Sequence, residues 1–92
     1  MAERKRYKVA VKIVSQEGTC ARGHKVGDEW IIGETTPGGI CLAAFNDLFP
    51  YLWVLTWGGA FPWTSDVDIV SNIACSDAKN PVVFELRRIR EI

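Results

Sequence analysis

The sequence has no uninterrupted apolar stretch approaching the roughly 20 residues that cross a bilayer. Its longest candidate, from Leu48 to Ala60, is broken by Pro50, Gly58 and Gly59. No membrane partner is expected. The basic opening Met-Ala-Glu-Arg-Lys-Arg is followed by Tyr7 to Val14, where Lys8 and Lys12 interrupt any apolar core of a signal peptide. The cytoplasm is therefore the expected location. Histidine is scarce, with one in 92 residues, and there are only three cysteines. An odd cysteine count without an export signal argues against a closed disulfide framework and leaves thiols or metal ligands. No C-x2-C pair, phosphate-binding loop, dinucleotide fingerprint, zincin helix or readable Ser-His-Asp set is present. Net charge is also lacking, at zero, which argues against a nucleic-acid partner.

What is present fits one domain, residues 1–92. Apolar residues make up 48% and charged residues 24%. That is too apolar for disorder. A chain this short buries about 60–65% of its unfolded surface, so its core profits from a metal, a disulfide or a second subunit. Charge is unevenly spread. Residues 1–12 hold five Lys/Arg against one Glu, and residues 87–92 hold Arg87, Arg88 and Arg90 against Glu91. The middle is acidic, with three basic and nine acidic residues. The basic ends read as solvated strand edges guarded by charge.

Hydrophobic spacing predicts the elements. Tyr7, Val9, Val11 and Ile13 alternate with Lys8 and Lys12, the period of a half-buried strand. Residues 15–25 read as a loop, Glu29-Trp30-Ile31-Ile32 as a short strand closed by Gly33, and Thr36-Pro37-Gly38-Gly39 as a turn. Leu42, Phe45 and Leu48 have helical spacing, and Pro50 suits a first helical turn better than an interior. The spacing thus predicts two short helices, 41–49 and 50–57, ended by Gly58-Gly59. Residues 67–74 read as a strand with Val67, Ile69 and Ile73 on one side. Asp-Ala-Lys-Asn-Pro is a turn. A last strand places Val82, Phe84, Leu86 and Arg88 on one face, and it is expected beside the first. The sum is a small α+β domain: a mostly antiparallel sheet with a short helical insertion covering one face.

Cys20 and His24 form a C-x3-H spacing inside a loop. Cys41 opens the proposed helix and Cys75 ends the proposed strand. All four fall in loops or at element ends, which can cluster in a small two-layer fold. Three thiolates and an imidazole suit zinc in a closed structural site, or an iron centre. The leading expectation is a metal-binding protein using Cys20, His24, Cys41 and Cys75. Asp77 could orient a ligand from outside, or simply cap its turn. A second expectation makes Cys41, at a helix N-terminus that favours a thiolate, the nucleophile of a small-molecule or redox enzyme, with Cys75 resolving. Its pocket would be the stretch Trp57, Gly58, Gly59, Phe61 and Trp63, unless those aromatics pack the core or an interface. A third expectation is a homo-oligomeric interaction module or accessory subunit. Asp66 reads as a turn cap and Asp68 as solvent-facing.

The run Cys20-x3-His24-Lys25-Val26-Gly27-Asp28, Gly39-x-Cys41, Gly58-Gly59-x-Phe61-Pro62-Trp63, Cys75-x-Asp77 and Asn80-Pro81-Val82-Val83-Phe84-Glu85-Leu86 resembles a family of small bacterial and archaeal proteins of about this length, without a settled biochemical role. The resemblance spans about residues 7–89. It implies cysteines at the positions of Cys20, Cys41 and Cys75 and a histidine at His24, and hence a shared site. The family pattern sets a proline after some of these cysteines, where this chain has Ala21, Leu42 and Ser76. That changes turn rigidity and leaves the side chains of the site intact.

Overall fold

A computed structural model of the protein describes residues 5–90. Strand β1 (Lys8–Gln16) comes first, then β2 (Glu29–Ile32), helix α1 (Leu42–Thr56), β3 (Ile69–Ala74) and β4 (Val82–Ile89). The strands form one antiparallel sheet in the order β2-β1-β4-β3. This is the α+β arrangement that the spacing predicts, with the last strand beside the first. The described parts of the basic ends belong to or adjoin the two central strands, so they are not sheet edges. Residues 1–4 and 91–92 of those ends lie outside the described residues. The edges are β2 and β3.

Alternation does the sorting in β1 and β4. Val9, Val11 and Ile13 are completely buried, as are Phe84 and Leu86 across from them. Lys8, Lys12 and Arg87 point to the opposite, solvated face. A bulge after Ile13 inserts one residue into β1, and beyond it Ser15 pairs with Val83.

The β3 face departs from the prediction. Val70 and Ile73 point inward, Ile69 is half-buried and Val67 is exposed. The cause is a second bulge between Val70 and Ile73, where Asn72 takes a left-handed φ of 64°. Asparagine is one of the few side chains that tolerate this region. The extra residue lets two side chains three apart share the core face.

Helix α1 is a single unbroken helix in place of the two that the spacing predicts. Ala44, Leu48, Leu52 and Leu55 make its buried stripe. Pro50 lies inside it, and its missing N–H deprives the carbonyl of Asn46 of a helical donor. Both residues are exposed, so water can replace that bond and the buried stripe runs on unbroken. The helix packs over β1, β3 and β4 and leaves β2 to be covered by loops.

The carboxyl end of α1 is closed by a side chain from β4. Arg88 is buried among the core residues at 3% exposure. Its Nη1 donates to the carbonyls of Leu55 (3.2 Å) and Gly59 (2.6 Å), and Nη2 to that of Val67 (2.9 Å). Its Nε donates to Asp68 Oδ1 at 2.9 Å. A cation at the negative end of a helix is favoured by the dipole as well. Asp68 is thus half-buried, contrary to the solvent-facing expectation, and it also accepts from Arg90 Nε. A Cβ on Gly59 would lie 2.7 Å from Val54 Cγ1 and 3.1 Å from the Val54 oxygen, so any side chain there forces Val54 to shift.

Candidate functional site

The three cysteines come from three segments and border one cavity at the amino end of α1. Cys20 lies in a turn closed by the Gly23 N–H on the Cys20 carbonyl (2.9 Å), with Gly23 at a φ of 77°. Cys41 is the N-cap of α1 and its side chain makes no capping bond. Cys75 follows β3, and its Sγ accepts from the Val82 N–H at 3.3 Å. All three are half-buried free thiols. Together with Arg22, Asp77 and Asn80 they line one cavity of about 200 Å³.

The loops around it are tied to one another. Asp77 accepts from the backbone N–H groups of Lys79 (3.1 Å) and Asn80 (3.2 Å) and from Asn80 Nδ2 (3.3 Å). This is the pattern of an Asx turn. Asn80 Oδ1 in turn accepts from the Thr19 N–H at 3.0 Å, which joins the Cys75 loop to the Cys20 loop. A side chain on Gly18 would collide with Asn80. Asp77 therefore caps its turn while its residue borders the cavity. The N-terminal turn of α1 has no acidic residue. Backbone donors of that turn are thus free of side-chain caps where Ala43 and Ala44 line the cavity.

His24 does not join the thiols as a ligand. It is buried at 7% exposure, edge-on to Trp30 at 5.0 Å between ring centres. Its Nε2 accepts the Cys41 backbone N–H at 2.9 Å, so that lone pair is already used. Among the described residues no group of three or more His, Cys, Asp or Glu side chains is arranged to hold a metal ion. The expected zinc or iron site of Cys20, His24, Cys41 and Cys75 is therefore corrected. The cysteines share a cavity wall without forming a coordination shell, and the histidine is a structural acceptor that fixes the start of α1.

The aromatic stretch is also divided. Trp57 is the C-cap of α1 and Cys41 its N-cap, at opposite ends of a helix of 15 residues. The thiols and these aromatics therefore do not share a pocket. Trp57 stacks edge-on against Trp53 at 5.6 Å. Phe61 turns to the other side of the helix, against Tyr51 (5.6 Å) and Trp63 (4.7 Å). Gly58, at a φ of 82°, donates to the Leu55 carbonyl, and Gly59 donates to that of Val54. These glycines close the helix, and Gly59 lines an open hollow of about 580 Å³ with Trp53, Val54 and Trp57, while Gly58, Phe61 and Trp63 are not among the residues lining it.

Two features go beyond the sequence expectations. One is the ladder Phe45, Phe49, Trp53 and Trp57, each ring in contact with the next. Its signal is an aromatic at every fourth position. The other is Arg88, whose signal is a cation on the apolar face of a strand.

No family model, curated protein or solved structure matches the chain. Among the described residues no helix is long and apolar enough to cross a membrane.

Proposed function

We propose that the protein is a thiol–disulfide exchange protein whose site is the cavity at the amino end of α1. The observation that carries this reading is that every cysteine of the chain borders that one cavity. Cys41 is the attacking thiol, because it sits where α1 offers uncapped backbone donors to an anion. The substrate class is a low-molecular-weight disulfide, and Arg22, which lines the cavity with Asp77, can meet a carboxylate on it. In the first step the Cys41 thiol loses its proton and its sulfur attacks one sulfur of the substrate. The substrate S–S bond breaks, a Cys41 mixed disulfide forms, and the departing thiolate takes up a proton. In the second step Cys20 or Cys75 attacks the Cys41 sulfur and expels the other half as a thiol. One substrate disulfide is reduced to two thiols while two protein thiols become one disulfide. Such chemistry needs reduced cysteines at rest, which fits the cytoplasm.

The test uses reduced native protein and glutathione disulfide as the probe, followed by intact mass and thiol counting. Free thiols fall from three to one, and the mass drops by two hydrogens. Cys41→Ser abolishes the rapid phase. Of Cys20→Ser and Cys75→Ser, the one that removes the resolving thiol accumulates the mixed disulfide. Protein that keeps three titratable thiols, or a Cys41→Ser variant oxidised as fast as its parent, overturns the reading.

A further inference from the structure

His24 is a buried imidazole that the thiol chemistry leaves unused. Its Nε2 accepts the Cys41 N–H at 2.9 Å. A ring nitrogen that accepts carries no proton, so His24 is the neutral tautomer with its proton on Nδ1. The lone pair that a general base needs is spent on the backbone, and no thiol proton passes to that atom. The ring is 7% exposed and lies edge-on to Trp30 at 5.0 Å, so it cannot swing aside freely. It joins three segments: the loop after β1, strand β2 and the start of α1.

The bond falls on the residue whose sulfur borders the cavity at the helix start. The Cys41 side chain makes no capping bond of its own. Its place is set by the two peptide groups that flank its Cα. On the carboxyl side, the Cys41 carbonyl accepts the Phe45 N–H at 2.9 Å and begins the helix. On the amino side, the Cys41 N–H is held by His24. With both groups fixed, and the backbone at φ −58° and ψ 131°, rotation about the Cα–Cβ bond is the freedom left to the sulfur. The chain reaches Cys41 through an exposed turn at Gly38 and Gly39, so the imidazole is the anchor on that side.

We infer that His24 is the positioning residue of Cys41: its bond to the Cys41 N–H holds the sulfur beside the first turn of α1 and thereby sets the rate at which it attacks. The inference deepens the thiol-exchange reading and takes from it only that Cys41 is the attacking thiol. His24 acts through the Cys41 backbone, and misplacing a reacting atom by about 1 Å can cost about a hundredfold in rate. What the site requires at position 24 is an acceptor at the reach of Nε2. Glutamine offers one in Oε1, leucine fills the space without one, and asparagine is shorter and stops short of it.

Alkylation by iodoacetamide tests the role, because it reports the reactivity of a sulfur and needs no disulfide. Native reduced protein is treated at one pH and temperature, and peptide masses give a separate rate for each cysteine. Cys20 and Cys75 are the internal references. His24→Leu and His24→Asn each slow Cys41 by about tenfold, within the span that misplacement produces, and leave the other two at their parent rates. His24→Gln restores Cys41. Far-UV circular dichroism at the assay temperature shows which variants are folded, and if His24→Leu is not, the comparison of His24→Asn with His24→Gln carries the test. Cys41 that reacts at its parent rate without the acceptor overturns the proposal. So does a slowing shared equally by all three cysteines, or a His24→Gln variant as slow as His24→Asn. A parent chain that ignores glutathione disulfide, yet shows this dependence of Cys41 on His24, overturns the exchange reading and upholds the positioning role.

Discussion

Arg88 occupies a position where strand alternation calls for an apolar side chain, in line with Val82, Phe84 and Leu86. Its guanidinium is held by three carbonyls and one carboxylate, so four of its five N–H groups are hydrogen-bonded. Arg88→Met roughly keeps the volume, leaves the carbonyls of Leu55, Gly59 and Val67 without this donor, and leaves Asp68 to Arg90 alone. Breaking such a buried network costs about 3–5 kcal/mol, read as a lower denaturant midpoint. Arg88→Lys recovers little, since one ammonium cannot reproduce the planar fork. An unchanged midpoint in Arg88→Met would falsify the keystone role.

Asp68 gives a pH signature of the same cluster. The hydrogen bond from Arg90, and then that from Arg88, holds its carboxyl below the ordinary range despite partial burial. A carboxyl depressed in the folded state stabilises above its unfolded value of about 3.9 and loses that contribution as pH falls through the folded one. Melting temperature should therefore decline on acidification below about pH 4. Asp68→Asn should start lower at neutral pH and lose less on acidification. Parallel curves for the two proteins would remove Asp68 from the acid limb.

At the scale of elements, α1 shows which rule wins when two conflict. Proline is a helix breaker, yet the stripe Ala44, Leu48, Leu52 and Leu55 continues across Pro50. Burial of that stripe outweighs one lost backbone bond, because the bond lies on the wet side. Replacing Pro50 with Ala restores a donor for Asn46 and should raise stability by about 1–3 kcal/mol, checked by chemical denaturation. Gly59→Ala should act in the opposite direction by about 1–3 kcal/mol, since its methyl meets Val54.

The same contest explains what the sequence could disclose. Strands β1, β2 and β4 were legible because their buried side chains keep a period of two, through Ile13 in β1, although Ile31, Val83 and Ile89 face the other way. The β3 face was not, because the bulge at Asn72 resets the alternation and no residue type announces a bulge unambiguously. The gathering of Cys20, Cys41 and Cys75 was legible only as a shared position at element ends. Their failure to form a metal shell was not, because it depends on His24 turning its Nε2 to the Cys41 backbone. The ladder was hidden by the assumed break at Pro50.

For the whole molecule, the chain's first and last strands form the centre of the sheet and the elements between them hang from it. Strands β1 and β4 each have a neighbour on both sides, whereas β2 and β3 have one. Edge amides can open without unfolding the sheet, but β1 and β4 amides lie beside fully buried Val9, Val11, Phe84 and Leu86. Native-state hydrogen exchange should therefore rank them. Core-facing β1 and β4 amides should exchange only through global unfolding, and edge amides of β2 and β3 earlier. The pairing of strands some seventy residues apart also makes the sheet an all-or-none event rather than an assembly of hairpins. A chain truncated before Val82 should then lose not one strand but the cooperative transition itself, seen as a missing thermal baseline in circular dichroism. A truncated chain that still melts cooperatively, or central amides that exchange as fast as those of β2, would show instead that one hairpin carries the stability.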